Sequence, residues 1–231
     1  MASATPETRN QLGAGPLGER YDEALAYAAA HHRHQLRKGS RVPYMSHLIS
    51  VSAIVLEHGG SEGQAIAALL HDAVEDAPAG EGLTVLREIR ERFGETVADI
   101  VEACSDSLNE TTAGKAPWAE RKRAYIDGLR DKAKKSDEAL LVTAADKIHN
   151  GSCIAADLRT YGSEFWSTFN ACEHELLWYY TSVDAAVTER VPETSIAIAL
   201  HRAVEDLVAA ADADRDSITS GLPDCGCRPG D

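Results

Sequence analysis

Four side chains of this chain are of the types that hold a divalent ion, and they come in a fixed order: His47, the adjacent pair His71-Asp72, and Asp146. They are far apart along the chain, so folding must assemble any common site they make. Two imidazoles and two carboxylates suit a borderline ion such as Mn²⁺, Fe²⁺ or Zn²⁺ better than Ca²⁺, which takes oxygen ligands. Four protein ligands leave positions open for water and substrate, as hydrolytic chemistry requires. Such an ion would polarise a phosphoryl oxygen and acidify a bound water. Glu75 and Asp76 stand four residues beyond His71 and Asp72, a spacing that shares a helix face, and are placed to orient or deprotonate that water.

The elements that must position these groups read as helices. Tyr21 to Ala30 is a run of strong helix formers that continues towards Arg37 and stops at Gly39. Pro43 marks a loop delivering His47 to the next helix, about 46 to 58, which Gly59-Gly60 closes. Ser61 is a suitable N-cap for a third helix from Glu62 to about Ala77, halted by Pro78. Its Ala65 to Leu70 stretch is apolar nearly all round, so this helix should be central and buried, carrying His71 and Asp72 with it.

Further helical stretches run from Leu83 to Phe93, Glu95 to about Ser107, 118 to 135, 137 to 160, 163 to 189 and 193 to 213, with a loop at 108 to 117. No run alternates with period two for long enough to make a strand. The expectation is an all-α helical bundle of about eight or nine helices. Residues 1–18 read as a flexible arm, 19–215 as a single domain, and 216–231 as a loose tail.

The net charge is −14, which disfavours a nucleic-acid partner. Positive charge is nevertheless concentrated at Arg33, Arg37, Lys38 and Arg41, flanked by His31, His32 and His34, so a small anionic ligand fits. No apolar run is long enough to span a membrane, and the first residues carry no secretory signal. With an odd number of cysteines, five, these features point to the reducing cytoplasm. Cys225 and Cys227 have no second pair to complete a zinc site. His149 reads as a hydrogen-bonded structural histidine. His31, His34, His58, His174 and His201 read as structural or exposed, and Trp118, Trp166, Trp178, Tyr179 and Tyr180 as packing groups.

The stretches 32–39, 43–47, 67–76, 93–94 and 145–150 together resemble the HD-domain metal-dependent phosphohydrolases. More narrowly, they are similar to the hydrolase domain of RelA/SpoT-type enzymes and to free-standing small alarmone hydrolases. The resemblance implies Mn²⁺-dependent removal of the 3′-pyrophosphate from ppGpp and pppGpp. Carried over by position, His47, His71, Asp72 and Asp146 bind the metal, and Glu75 and Asp76 activate the water. Arg37 and Lys38 hold the guanine end, the Arg37 plane being able to stack on the base. Asn150 and Lys147 contact ribose or phosphate, and Tyr44 and Ser46 line the pocket. The chain departs from the family at Leu48, Ala77, Ser152 and Cys153, where Pro, Thr, Arg and Thr are usual.

No length remains for a separate alarmone synthetase domain, so hydrolysis alone is expected. Two other readings stand beside this one. The first is an HD phosphohydrolase acting on another nucleotide, such as the 2′-phosphate of NADPH, and the second a catalytically silent nucleotide-binding protein. A homo-oligomer is compatible with the two long C-terminal helices, which would either cap the site or make a dimer face.

Overall fold

The computed structural model describes residues 17–105, 116–213 and Ile218. Nine α-helices stand in these residues: α1 Glu19–His31, α2 Met45–Glu57, α3 Glu62–Leu70, α4 Gly82–Phe93, α5 Glu95–Cys104, α6 Trp118–Arg130, α7 Asp137–Tyr161, α8 Glu173–Arg190 and α9 Ser195–Ala210. A 3₁₀ helix, Gly162–Thr168, follows α7. The described residues contain no strand, only an isolated bridge between Leu36 and Pro43. Most of the arm, the 106–115 part of the loop, and the Cys225-Cys227 tail lie outside the described residues.

Helix α3 is the hub. Ala65, Ile66, Ala67, Ala68, Leu69 and Leu70 are all fully buried, and α1, α2, α5 and α7 pack around them. At roughly 25 cal/mol per Å² of apolar surface, so complete a burial makes this helix a principal source of core stability. Its start is a capping box: Ser61 Oγ accepts from Gln64 N, and Ser61 N donates to Gln64 Oε1 at 2.7 Å. The 25-residue α7 is the second axis, packed against α2, α3, α5, α8 and α9. Ser136 caps its start. Gly94, at φ +89°, makes the sharp corner between α4 and α5 that a side chain would strain.

Several boundaries differ from those expected. Helix α1 ends at His31 and α6 at Arg130. The expected 163–189 helix divides into the 3₁₀ turn and α8, separated near Phe169–Cys172. Most consequentially, α3 stops at Leu70 rather than Ala77. At this end His71 Nδ1 donates to the Ala68 carbonyl at 2.8 Å, the acceptor that a continuing helix would offer to the Asp72 N–H. The chain then proceeds in turns, with Ala73 N bonded to Leu70 O and Asp76 N to Asp72 O. No described helix is long and apolar enough to cross a membrane.

Candidate metal centre and nucleotide cleft

The buried end of α3, the first turn of α2 and the middle of α7 meet at one point. His47 and His71 are 0% and 4% exposed. His47 Nε2 lies 3.6 Å from Asp72 Oδ2 and 3.3 Å from Asp146 Oδ1. His71 Nε2 lies 3.1 Å and 3.8 Å from the same two oxygens. Ligand atoms about 2.1 Å from one ion stand roughly 3.0–3.4 Å apart, close to this spacing. Neither Nε2 makes a hydrogen bond although both are buried, which is costly unless another partner supplies the interaction. In its neutral form His71 is fixed in the tautomer that leaves Nε2 a lone pair, because its Nδ1–H is committed to a carbonyl. The residues present therefore fit a divalent ion of the borderline class.

Electrostatics support the same arrangement. Burial pushes the His71 imidazole down, but Asp72 and Asp146 prevail and hold it well above its ordinary value. Burial pushes both carboxylates up. His71 and His47 hold Asp72 well below its ordinary value, and Lys147 with the same imidazoles does so for Asp146. Protons thus occupy a place where positive charge is strongly favoured. His149 behaves oppositely: burial, His47 and Arg37 push it down to about 4. Its Nδ1 sits 2.9 Å from His47 Nδ1.

The other candidate residues divide between two spaces. An enclosed pocket of about 40 Å³ is lined by His71, Asp72, Glu75, Asp146 and Lys147, with Lys122, Thr143 and Tyr179. It has room for water. A larger cleft of about 490 Å³ is lined by Arg37, Lys38, Tyr44, Ser46, His149 and Asn150, with Phe165, Phe169 and Tyr180 among others. Both carboxylates line the small pocket and are hydrogen-bonded by residues of the cleft. Tyr44 donates to Asp72 Oδ2 at 2.5 Å and Asn150 Nδ2 to Asp146 Oδ1 from the cleft side. Lys147 Nζ reaches Asp146 Oδ2 at 2.6 Å. Arg37 donates to Asn150 Oδ1 at 2.7 Å, and Lys38 lies over the Phe169 ring.

Glu75 and Asp76 have different surroundings. Glu75 lines the small pocket. Asp76 turns towards the segment that follows α1, where Gln35 Nε2 donates to its Oδ2 at 2.7 Å and buried His32 donates from Nδ1 to Gln35 Oε1 at 2.6 Å. Burial and Asp72 raise the Asp76 carboxyl, while Gln35 works against them.

Sequence reasoning overlooked His32, Gln35 and Lys122. Gln35 sits three residues after His32, a spacing that offered a signal. Lys122, on α6, reaches the small pocket only by tertiary packing, where its ammonium lies 4.8 Å from the Tyr179 ring centre. Of the two roles open to the C-terminal helices, α8 contributes Tyr179 and Tyr180 to the walls of the two spaces.

Comparison with known proteins agrees with this geometry. The chain is 36% identical over 148 residues to a guanosine-3′,5′-bis(diphosphate) 3′-pyrophosphohydrolase of Xenopus tropicalis, covering 63% of this chain and 73% of that one. It is also 36% identical over 134 residues to the Drosophila melanogaster enzyme of that name, covering 57% and 67%. A solved structure, described as a metazoan orthologue of SpoT that hydrolyses ppGpp, superposes with a TM-score of 0.60 at 27% identity, covering 85% of this chain and 97% of that one. The HD domain model matches residues 24–169, a span that holds all four of the clustered His and Asp residues. The chain belongs to the HD-domain family.

Proposed function

We propose that the chain is a metal-dependent hydrolase that removes the 3′-pyrophosphate of ppGpp and pppGpp, releasing pyrophosphate with GDP or GTP. One observation carries this reading. Two buried imidazole nitrogens that make no hydrogen bond and two carboxylates converge beside a water-sized pocket bearing Glu75 and a nucleotide-sized cleft bearing Arg37 and Lys38. The names of its relatives support the substrate.

In this reading His47, His71, Asp72 and Asp146 hold the ion, with Mn²⁺ the first choice and Fe²⁺ or Zn²⁺ next. When bound, the ion supplies positive charge to the phosphate under attack. His47 keeps Nε2 as a lone pair by donating its Nδ1–H to His149, whose depressed pKa keeps it a neutral acceptor. Glu75 takes the proton of a water in the small pocket. Asp76 assists from its Gln35-anchored position. Lys147 and Lys122 balance the negative charge of the pyrophosphate. Arg37 and Lys38 receive the guanine end, while Asn150, Tyr44 and Ser46 line the path between. The site takes a small nucleotide. We propose the cytoplasm as its compartment, supported by the free thiols of Cys104 and Cys153.

The test is Mn²⁺-dependent turnover of ppGpp, with products resolved by ion exchange and Asp72→Ala as control. GDP and pyrophosphate from the parent alone establish the reading. A second reading is favoured by Ser152, which is exposed and absent from the cleft wall: hydrolysis of another nucleotide, such as the 2′-phosphate of NADPH. Preference for NADPH over ppGpp in a side-by-side panel would replace the first reading with the second.

A further inference from the structure

Gly151 occupies the interior of α7, directly after Asn150, and is buried. Glycine there costs helix stability relative to alanine, so a packing reason is called for. Tyr180 supplies it. A methyl group on Gly151 would stop 3.4 Å from Tyr180 Cε1 and 3.7 Å from Cδ1. A methyl just fits, but any longer side chain displaces the ring. The glycine is therefore the gap through which Tyr180 of α8 approaches the α7 backbone beside the site.

Tyr180 is only 5% exposed, and it lines the cleft. A buried phenol ordinarily finds a hydrogen-bond partner. This hydroxyl makes no hydrogen bond to the described residues, yet it is not sealed off as the Trp178 indole nitrogen is. The Tyr180 ring packs on Gly151, next to Asn150, whose side chain bonds both Asp146 and Arg37. Tyr180 thus shares the cleft wall with the residue that links the His/Asp cluster to Arg37. The next residues along α7 offer no comparable donor. Ser152 is exposed away from the wall, and the Cys153 thiol is beside His149, 3.8 Å from its Nε2.

We propose that Tyr180 is a specificity-determining residue whose hydroxyl donates a hydrogen bond to an oxygen of the ribose-phosphate portion of the nucleotide, with Gly151 as the gap that admits its ring. The inference rests on the nucleotide-hydrolase reading above. In that reading Arg37 and Lys38 receive the guanine end, which leaves the ribose-phosphate portion to Tyr180.

The experiment is steady-state hydrolysis of ppGpp by Mn²⁺-loaded parent, Tyr180→Phe and Gly151→Leu, with GDP titrated calorimetrically into each and thermal melts as a folding control. Tyr180→Phe keeps the ring and removes one neutral hydrogen bond. It should raise KM and the GDP dissociation constant together, about two- to tenfold, with kcat and metal content nearly unchanged. Gly151→Leu should reproduce the loss by displacing the ring, and the double variant should add little. Parental KM and GDP affinity in Tyr180→Phe would overturn the proposal, as would a fall in kcat at constant KM. A parent that binds GDP but leaves ppGpp intact removes the hydrolase reading alone, and the GDP affinities still decide Tyr180. A parent that binds neither nucleotide overturns both.

Discussion

At the residue scale the decisive feature is the pair of buried imidazole nitrogens that make no hydrogen bond and face two carboxylates. Asp72→Ala should lose metal and activity together, because its partners lose a counter-charge in a buried place; metal analysis of the purified variant checks this, and parental metal content would remove Asp72 from the ligand set. Glu75→Ala should keep the metal and lower kcat by about 10²-fold or more, as removal of a general base does. The pH dependence follows from His71. Its pKa in the metal-free protein is raised well above the ordinary value, so its proton stabilises the fold below about pH 6.5, and that contribution is lost as pH rises through the folded value. Asp72 and Asp146 are depressed, so their contribution is present above about pH 4 and lost only at more acid pH. An ion must displace the His71 proton and then takes over its role. Metal affinity should therefore climb with pH across the neutral range, with proton release visible as a buffer-dependent binding enthalpy. A flat profile would contradict the assignment.

At the element scale, α3 ends at Leu70 with His71 bonded to the Ala68 carbonyl, and in the turns beyond it Glu75 lines the pocket while Asp76 bonds Gln35. Gln35→Ala should lower kcat while leaving metal content unchanged, since Gln35 touches Asp76 and none of the clustered His and Asp residues; loss of metal in that variant would show a broader structural role. Helix α3 also carries the core. Leu69→Ala should destabilise the protein by about 2–5 kcal/mol, the usual cost of emptying a fully buried leucine site, read by denaturant unfolding.

At the scale of the whole molecule, the centre ties together α2, α3 and α7, which are distant in sequence. An ion binding only the folded state should stabilise it by about 2.7 kcal/mol at a hundredfold excess over its dissociation constant. Chelation should thus lower the melting temperature of the parent and leave Asp72→Ala unmoved. Much of this architecture is legible along the chain. Apolar periodicity and the caps at Ser61 and Gly94 mark the helices, because these signals act within a few residues. The His/Asp cluster of His47, His71, Asp72 and Asp146 is legible because groups able to hold an ion are of a few residue types in a few local contexts. What the sequence alone determined is therefore the all-α class, the membership of this His/Asp cluster and the family. Only the tertiary structure decided that Asp76 faces Gln35, that Lys122 enters from α6, and that Tyr180 reaches the cleft past Gly151. Each of these depends on which surfaces of two separate helices meet, and packing between distant elements leaves no periodic trace in either one.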